Sequence, residues 1–222
     1  MGKEYEVKFL DVDENKVKKI LLSINAKKVH NKIMFRRSVF HLCNQYIKGF
    51  ARVRDEGGKV TMTSKVYKDE KFPEENEVEI NGTFDDGCNF IKSLGLQVKA
   101  FQQTYREKWS HPLAHEITFD YIPGLPVYME VDCKTEKDLN KLIELIGLDK
   151  SKMRYGAFDA TYYEYYGIEK EILNNKTLSL TFANILNEIK PIKNKKLLEN
   201  IYKSYEFKSD KYQVKKFNKI KN

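Results

Sequence analysis

Glu4-Tyr5-Glu6-Val7-Lys8-Phe9 is the stretch that decides the predicted fold. Side chains of a β-strand alternate between its two faces, so Glu4, Glu6 and Lys8 share one face while the apolar side chains occupy the other. The apolar face can enter an ordinary core. The charged face is then either a solvated surface or one wall of a polar cavity, and the choice depends on whether other strands repeat the pattern.

The same spacing of two recurs along the first 168 residues. In several predicted strands, charged residues flank a single apolar residue such as Val53, Val78 or Val131. The charges that this pattern places on one face are Arg52 and Arg54, Lys65, Glu77 and Glu79, Arg106 and Lys108, Asp120, and Glu130 and Asp132. A barrel with so many inward charges must be wet and must mix both signs, because dry unpaired charges would be very costly.

Hydrophobic periodicity predicts about eight strands, mostly antiparallel neighbours, with helices between them. The strands are predicted near residues 4–9, 32–43, 48–55, 59–66, 75–80, 98–110, 116–121 and 127–133. The helices are predicted near residues 11–24, 85–94, 135–146, 155–166, 178–189 and 195–205. The predicted fold is therefore of the α+β class: an eight-stranded antiparallel closed β-barrel with flanking helices and a helical C-terminal extension.

The net charge of +8 is concentrated near the C-terminus. Residues 169–222 contain 13 lysines and 6 acidic residues, a net charge of +7. We therefore predict a barrel domain at residues 1–168 and a Lys/Asn-rich, partly helical extension at residues 169–222. The basic extension offers non-specific attraction to nucleic acid, but no other feature of the sequence supports that contact.

Composition narrows the class of protein. The mean hydropathy is −0.62 and no apolar run approaches the length that crosses a bilayer, so we expect a cytoplasmic protein without a membrane partner, as a monomer or homodimer. Cys43, Cys88 and Cys133 are odd in number and widely spaced. This spacing predicts buried free thiols rather than disulfides or a zinc site.

The two signs of charge on the predicted inner face suit two parts of one ligand. Hard oxygen ligands for Mg²⁺ or Mn²⁺ are available at Glu4, Glu6, Asp120, Glu130 and Asp132. Donors for phosphate oxygens are available at Lys8, Arg52, Arg54, Lys65 and Arg106. A ligand that needs both sets is a polyphosphate that carries a divalent metal.

This ordered series of charges resembles the CYTH domain of the triphosphate tunnel metalloenzymes, a superfamily that includes class IV adenylyl cyclases and thiamine or inorganic triphosphatases. Glu4-Tyr5-Glu6-Val7-Lys8 is similar to the ExExK pattern of that family. The likeness covers residues 1–168 and continues in order through Arg52-Val53-Arg54-Asp55-Glu56, Lys65, Glu77-Val78-Glu79, Arg106, Asp120, Pro123-Gly124-Leu125 and Glu130-Val131-Asp132.

The resemblance implies an eight-stranded tunnel that binds a triphosphate-bearing small molecule together with one or two Mg²⁺ or Mn²⁺ ions. By similarity, Glu4, Glu6 and Lys8 are catalytic. The metal-side residues are Glu4, Glu6, Asp120, Glu130 and Asp132. The triphosphate-side residues are Lys8, Arg52, Arg54, Lys65 and Arg106, with Arg37, Glu77, Glu79 and Lys108 as further tunnel residues.

Two positions depart from the family pattern. The second strand carries Phe35-Arg36-Arg37-Ser38 where many members have an acidic residue, which adds positive charge to that part of the pocket. The final acidic position is Asp132 rather than glutamate. Its side chain is one methylene shorter, which favours a metal contact through water.

A divalent-metal-dependent triphosphatase is the predicted activity. The charged residues explain triphosphate binding, and the sequence shows no separate set of residues that would recognise an adenine base. A class IV adenylyl cyclase that makes cyclic AMP from ATP is the first alternative, because the same tunnel serves either reaction. A noncatalytic module that binds polyphosphate, nucleotide or RNA 5′ ends is the second. A simple anion binder should lose affinity when Mg²⁺ is added, whereas a metalloenzyme should need it.

Overall fold

The computed structural model describes residues 5–44, 46–67, 74–155 and 158–205, and its main element is a nine-stranded sheet. The strands are β1 (Tyr5–Phe9), β2 (Lys27–Phe40), β3 (Gly49–Asp55), β4 (Val60–Val66), β5 (Glu74–Ile80), β6 (Val98–His111), β7 (Ala114–Tyr121), β8 (Tyr128–Cys133) and β9 (Ser179–Leu180). Eight of them pair antiparallel in the order β1-β8-β7-β6-β2-β3-β4-β5, and β9 pairs parallel with β6. Mixed α+β architecture with antiparallel strand neighbours is therefore confirmed.

The sheet is flanked by helices that begin where the sequence offers capping side chains. The α-helices are α1 (Glu14–Ser23), α2 (Phe84–Ser93), α3 (Glu136–Ile146), α4 (Phe158–Tyr166), α5 (Ile185–Glu188) and α6 (Lys195–Ser204), and there are also a short 3₁₀ helix at Lys150–Lys152 and a π-helix at Ile172–Lys176. The side chains of Asp13, Thr83 and Thr135 accept backbone N–H groups at the starts of α1, α2 and α3. These caps satisfy donors that have no partner within the helix.

One face of the sheet carries the main core because its apolar side chains recur with a period of two. Val7, Phe119 and Val131 are almost fully buried on this face, in a cluster with Leu21 of α1 and Leu142 of α3. A second cluster packs α2 against the strands on the other side of β6. With helices on this face, the charged side chains are left on the opposite one.

Residues 158–205, termed the C-terminal segment, pack against the loop that follows β7. Tyr162 and Tyr166 donate hydrogen bonds to the carbonyl oxygens of Pro123 and Gly124, and the Gly124 N–H donates to Tyr205. Gly124 has φ +79°, and a Cβ there would clash with the segment's packed aliphatic side chains. A glycine is therefore required where this loop meets the C-terminal segment.

Closure of the sheet into a barrel is not confirmed. Strands β1 and β5 are the two ends of the sheet, and within the described ranges no strand pairing joins them. The outer edge of β1 is engaged by another partner, because Lys8 and Arg154 exchange two backbone hydrogen bonds of 2.9 Å. This contact occupies part of the edge that a closing strand would need.

The predicted helix at residues 178–189 is wrong. This stretch forms β9, a turn and the short helix α5. Asn184 accepts hydrogen bonds from the backbone N–H and hydroxyl of Thr181, and such local side-chain bonds compete with a helix. Cys43 is exposed, contrary to prediction, whereas Cys88 and Cys133 are buried and free.

Two predicted features lie outside the described residues: Glu4 and the chain after residue 205. None of the helices that the structure describes combines the length and apolar character needed to cross a membrane.

Candidate functional site

The predicted site residues that the structure describes share one face of the sheet across its eight antiparallel strands. Directly opposed residues of antiparallel strands project to the same side. The register opposes Glu6 with Asp132, Lys8 with Glu130, Arg106 with Asp120, Arg37 with Gln102 and Arg54, Arg54 with Thr61, and Thr63 with Arg52 and Glu77. The strand order therefore carries the charged row from β1 to β5.

This face is concave. Burial opposes the charge of Glu116 on β7, but Lys108, Arg106 and Arg54 together hold the pKa of this carboxyl below its usual range. Arg54 lies on β3, which the strands β2 and β6 separate from β7. The influence of Arg54 on Glu116 across two intervening strands is what a sheet curled toward this face would produce.

Lys8 lies at the centre of the acidic side of this concave face. Its Nζ is 2.7 Å from Glu6 Oε1 and 3.0 Å from Glu130 Oε1, and the residue is only 6% exposed. Burial opposes the ammonium charge, but Glu130 and Glu6 outweigh it and raise the pKa of Lys8. Lys8 is therefore an ammonium ion at neutral pH.

Arg106 holds most of the remaining carboxylates on the acidic side. Its guanidinium bonds both oxygens of Asp120, at 2.7 and 3.0 Å, and reaches Glu130 at 2.8 Å and Glu116 at 3.3 Å. Burial opposes its charge, yet these carboxylates raise the pKa of Arg106 well above its usual range. Burial, aided by Glu130, raises the pKa of Asp120 to about 6 despite the bonds from Arg106 and Thr118.

Three carboxylates form a row across adjacent strands at one end of the acidic side. Glu6 opposes Asp132, and Asp132 opposes Glu116. Like charges in directly opposed positions destabilise a sheet, so this row favours a cation, and its hard oxygens suit Mg²⁺ or Mn²⁺. In the described chain no three acidic, His or Cys side chains are close enough to hold a metal, and Lys108 binds Glu116 at 2.5 Å.

The opposite side of the concave face is built around Arg37, Arg52 and Arg54, termed the arginine group. Arg52 bonds Glu77 at 3.1 Å, and Arg54 forms ion pairs with Glu77 and Glu56. Burial opposes the charge of Glu77, but Thr63 and the two arginines hold the pKa of this carboxyl below its usual range. Arg52 and Arg54 therefore share the partly exposed carboxylate of Glu77.

Arg37 has the least compensated charge of the arginine group. Its Nε donates to Gln102 Oε1 at 2.6 Å, and its Cζ lies 5.1 Å from the ring centroid of Phe158. Across the described ranges it forms no ion pair with a carboxylate. Desolvation, together with the charges of Arg52 and Arg54, lowers the pKa of Arg37 to about 10. At neutral pH this guanidinium is still charged.

Two buried polar atoms beside the arginine group lack partners. Within the part of the chain that the structure describes, neither Arg54 Nε nor Thr61 Oγ1 makes a hydrogen bond. The two residues are directly opposed on β3 and β4. An unsatisfied buried polar atom costs about 1–3 kcal/mol of stability. Each of these two atoms can donate a hydrogen bond to a phosphate oxygen.

The other predicted residues lie at the rim or along the same face. Lys65 is partly buried on β4, and Asp132 is partly buried on β8. Glu79 shares the face by register but is exposed, with its carboxylate 3.7 Å from Lys59. It is therefore peripheral to the two charged groups.

Sequence reasoning missed Glu116, Gln102 and Phe158. Glu116 was detectable, because the alternation that includes Thr118 and Asp120 extends two residues back to it. No local pattern points to Gln102 or Phe158, since both join the site only when distant parts of the chain pack together.

Several solved structures resemble this chain in fold. The PH1012 protein of Pyrococcus horikoshii is 19% identical, with a TM-score of 0.56 over 70% of this chain and 97% of that one. An adenylate cyclase candidate from Vibrio parahaemolyticus is 13% identical, with a TM-score of 0.59 over 72% of this chain and 98% of that one. No protein-family model and no curated protein matches the sequence. The likeness to these structures shows a shared fold.

Proposed function

We propose that this chain is a divalent-metal-dependent enzyme that hydrolyses a triphosphate bound along the concave face of its sheet. The observation that carries the proposal is the division of that face into two charged groups. An arginine group, in which Arg37 forms no ion pair with a described carboxylate, faces an acidic side with a row of opposed carboxylates. A triphosphate with a bound metal ion complements both.

The arginine group supplies the anion-binding half of the proposed site. Arginine presents a planar fork that grips phosphate oxygens with two hydrogen bonds. The unpartnered donors Arg54 Nε and Thr61 Oγ1 fit the same ligand. Lys65 adds a further cation on the neighbouring strand β4, on the same face by register.

The acidic side supplies the metal-binding half. Glu6, Glu130 and Asp132, with Glu4 and Glu116, are the residues that would hold Mg²⁺ or Mn²⁺. When bound, such an ion neutralises the charge of the phosphoryl oxygens and lowers the pKa of a bound water. Asp120 is assigned a different role, because both its oxygens bond the Arg106 guanidinium and hold it toward the cavity.

Lys8 is assigned an electrostatic role rather than that of a general base. Its raised pKa keeps it protonated, so it cannot accept a proton from water at neutral pH. From its position between Glu6 and Glu130, the ammonium group would donate a hydrogen bond to a phosphoryl oxygen of the bound substrate. It would then stabilise negative charge that develops on the transferred group.

Adenylyl cyclisation is the second candidate, because the structurally similar Vibrio protein is an adenylate cyclase candidate. The same two charged groups would hold ATP, with the ribose 3′-hydroxyl attacking the α-phosphate and pyrophosphate leaving. The charges alone do not fix which phosphorus faces the nucleophile. The products distinguish the two reactions.

Product analysis tests the proposal. The purified protein is incubated with inorganic triphosphate and, separately, with ATP, each with Mg²⁺, with Mn²⁺ or with chelator. We expect orthophosphate only when metal is present. Cyclic AMP with pyrophosphate would establish the cyclase instead, and tight binding without any product would leave a noncatalytic binding module.

A matched pair of variants tests the metal-side assignment. Glu6→Gln removes one carboxylate of the row and should lower metal-dependent turnover roughly 100-fold. Glu144→Gln removes an exposed carboxylate of α3 that pairs with Lys150, and it should leave turnover unchanged. Equal activity of the two folded variants would refute the assignment of Glu6.

A further inference from the structure

Tyr128 is a buried tyrosine on the charged face of the sheet. It directly opposes Asp120 on β7, and Asp120 in turn opposes Arg106 on β6, so these three side chains form one row across three strands. Glu130 lies two residues further along β8 and therefore projects to the same face. Tyr128 thus belongs to the acidic side of the concave face, beside a carboxylate that would hold the metal ion.

The hydroxyl of Tyr128 differs from those of two tyrosines in the same apolar cluster. Tyr128 is only 3% exposed and shares this cluster with Tyr162 and Tyr166 of α4. Those two tyrosines donate hydrogen bonds to the carbonyl oxygens of Pro123 and Gly124. Within the described ranges, the Tyr128 hydroxyl forms no hydrogen bond. Because buried tyrosine hydroxyls usually have a partner, this one is a donor available to a ligand.

Burial and charge keep the Tyr128 hydroxyl protonated. Burial, together with the charges of Glu130 and Asp120, raises the pKa of Tyr128 well above its usual range. The charges of Arg106 and Arg37 oppose this increase in pKa only in part. At neutral pH the hydroxyl therefore donates hydrogen bonds and cannot act as a general base toward water.

We infer that the Tyr128 hydroxyl donates a hydrogen bond to the phosphoryl group of the triphosphate that lies on the acidic side of the concave face. This inference rests on the proposed function and adds a substrate contact to it. Hydrolysis requires the transferred phosphoryl group to lie near the carboxylates of the metal-binding half, and Tyr128 adjoins Glu130 there. The hydroxyl therefore contacts an oxygen on which negative charge develops during the reaction.

Two tyrosine-to-phenylalanine variants separate this contact from packing. Tyr128→Phe removes the hydroxyl and keeps the ring in its apolar cluster. Tyr162→Phe is the matched control, because it makes the same chemical change in the same cluster, where the lost hydroxyl bonds the Pro123 carbonyl. In urea unfolding, Tyr128→Phe should be as stable as the wild type, since it removes no hydrogen bond from the fold. Tyr162→Phe should unfold at a lower urea concentration, because it leaves a carbonyl without its partner.

The experiment measures turnover and binding separately in the wild type and both variants. Initial rates with inorganic triphosphate and Mg²⁺ give kcat/KM, and calorimetric titration with diimidotriphosphate, whose bridging oxygens are replaced by NH groups, gives Kd. Loss of a hydrogen bond to a charged oxygen should lower kcat/KM of Tyr128→Phe about 10- to 100-fold and raise its Kd about tenfold. Tyr162→Phe should keep the wild-type values of both. The ratio of wild-type to Tyr128→Phe kcat/KM should stay constant between about pH 6 and pH 9, because the hydroxyl remains protonated.

The outcomes separate this inference from the proposed function. A wild type that binds diimidotriphosphate but releases no orthophosphate from inorganic triphosphate would refute hydrolysis, and the Kd values of the two variants would still decide the role of Tyr128. Equal kcat/KM and Kd in the wild type and Tyr128→Phe would overturn the contact, and so would equal losses in Tyr128→Phe and Tyr162→Phe. Reduced stability of Tyr128→Phe would mean that its hydroxyl has a partner within the fold, which also contradicts the inference. A wild type that neither binds nor hydrolyses would refute both proposals.

Discussion

Arg106 and the arginine group line the same concave face in opposite electrostatic surroundings. Arg106 is enclosed by Asp120, Glu130 and Glu116, which together raise its pKa well above the usual range. Arg37 is flanked by other arginines that help lower its pKa to about 10. Among the described residues, the same side chain type is therefore paired with carboxylates at Arg106 and with none at Arg37.

This difference separates structural cations from ligand-binding cations. Removing a cation that neutralises buried carboxylates leaves uncompensated charge, so it should damage the fold. Removing a cation that is repelled by its neighbours relieves repulsion, so it should damage binding and spare the fold. Each prediction below measures one side of this contrast.

The largest expected effect is the loss of stability in Arg106→Met. Methionine fills part of the space but leaves Asp120 and Glu130 buried without their shared cation, at a cost of about 3–5 kcal/mol in the free energy of unfolding. Urea unfolding at pH 7 measures it. Arg54→Met is the matched variant and should change this free energy by no more than about 1 kcal/mol. Equal losses in the two variants would remove the distinction between the groups.

A ligand that binds the arginine group should stabilise the folded protein. Inorganic triphosphate at 100 times its dissociation constant should add about 2.7 kcal/mol to the free energy of unfolding, because it binds the folded state alone. Thermal unfolding with Mg²⁺ present and with chelator measures this increase. The same concentration of sulfate is the control for a general salt effect. An increase of the same size with sulfate would contradict a triphosphate site.

Arg54→Met should separate binding from folding in the opposite sense to Arg106→Met. Loss of hydrogen bonds to a charged phosphate costs about 1.5–3 kcal/mol, so KM for triphosphate should rise roughly 10- to 100-fold. We expect kcat to change less, because Arg54 lies on β3, away from the carboxylate row. A fall in kcat with an unchanged KM would instead place Arg54 beside the reacting phosphorus.

The strand alternation was the part of the fold most accessible to sequence reasoning. A spacing of two predicts a charged face, because side chains two residues apart in a strand lie on the same side. Glu6 and Lys8 have this spacing, as do Arg52 and Arg54. The caps at Asp13 and Thr135 are equally local signals. Closure of the barrel cannot be predicted from a local pattern, because it depends on which segment pairs with the outer edge of β1. The backbone of Arg154 pairs with part of that edge.

The candidate site was predictable as a set of residues but not as a set of pairs. Nothing in the spacing of Arg106 indicates that it binds Asp120 through two of its nitrogens, Nε and Nη2, because that pairing depends on the register between β6 and β7. The contact between Arg37 and Phe158 was harder still to predict from the sequence. Phe158 reaches Arg37 from more than a hundred residues away, and the stretch that contains β9 has the periodicity of a helix.

The smallest expected effect concerns Glu77, the carboxylate shared by Arg52 and Arg54. Thr63 and these arginines lower its folded-state pKa below the unfolded value. A carboxyl with a depressed folded pKa stabilises the fold above its unfolded pKa, and this contribution is lost as the pH falls through the folded value. Because its side chain is 32% exposed, we expect less than about 1 kcal/mol.

Urea unfolding of the wild type and Glu77→Gln between pH 3 and pH 6, roughly the range in which glutamates titrate, measures this contribution. The wild type should be more stable at the upper end, and the two proteins should converge at the lower end as Glu77 is protonated. Bound triphosphate should shrink the difference at pH 6, since its oxygens compete with Glu77 for the same guanidinium groups. A difference in stability that persists at pH 3 would mean that the Glu77 side chain stabilises the fold by packing. The charge of Glu77 would then contribute little to the stability of the arginine group.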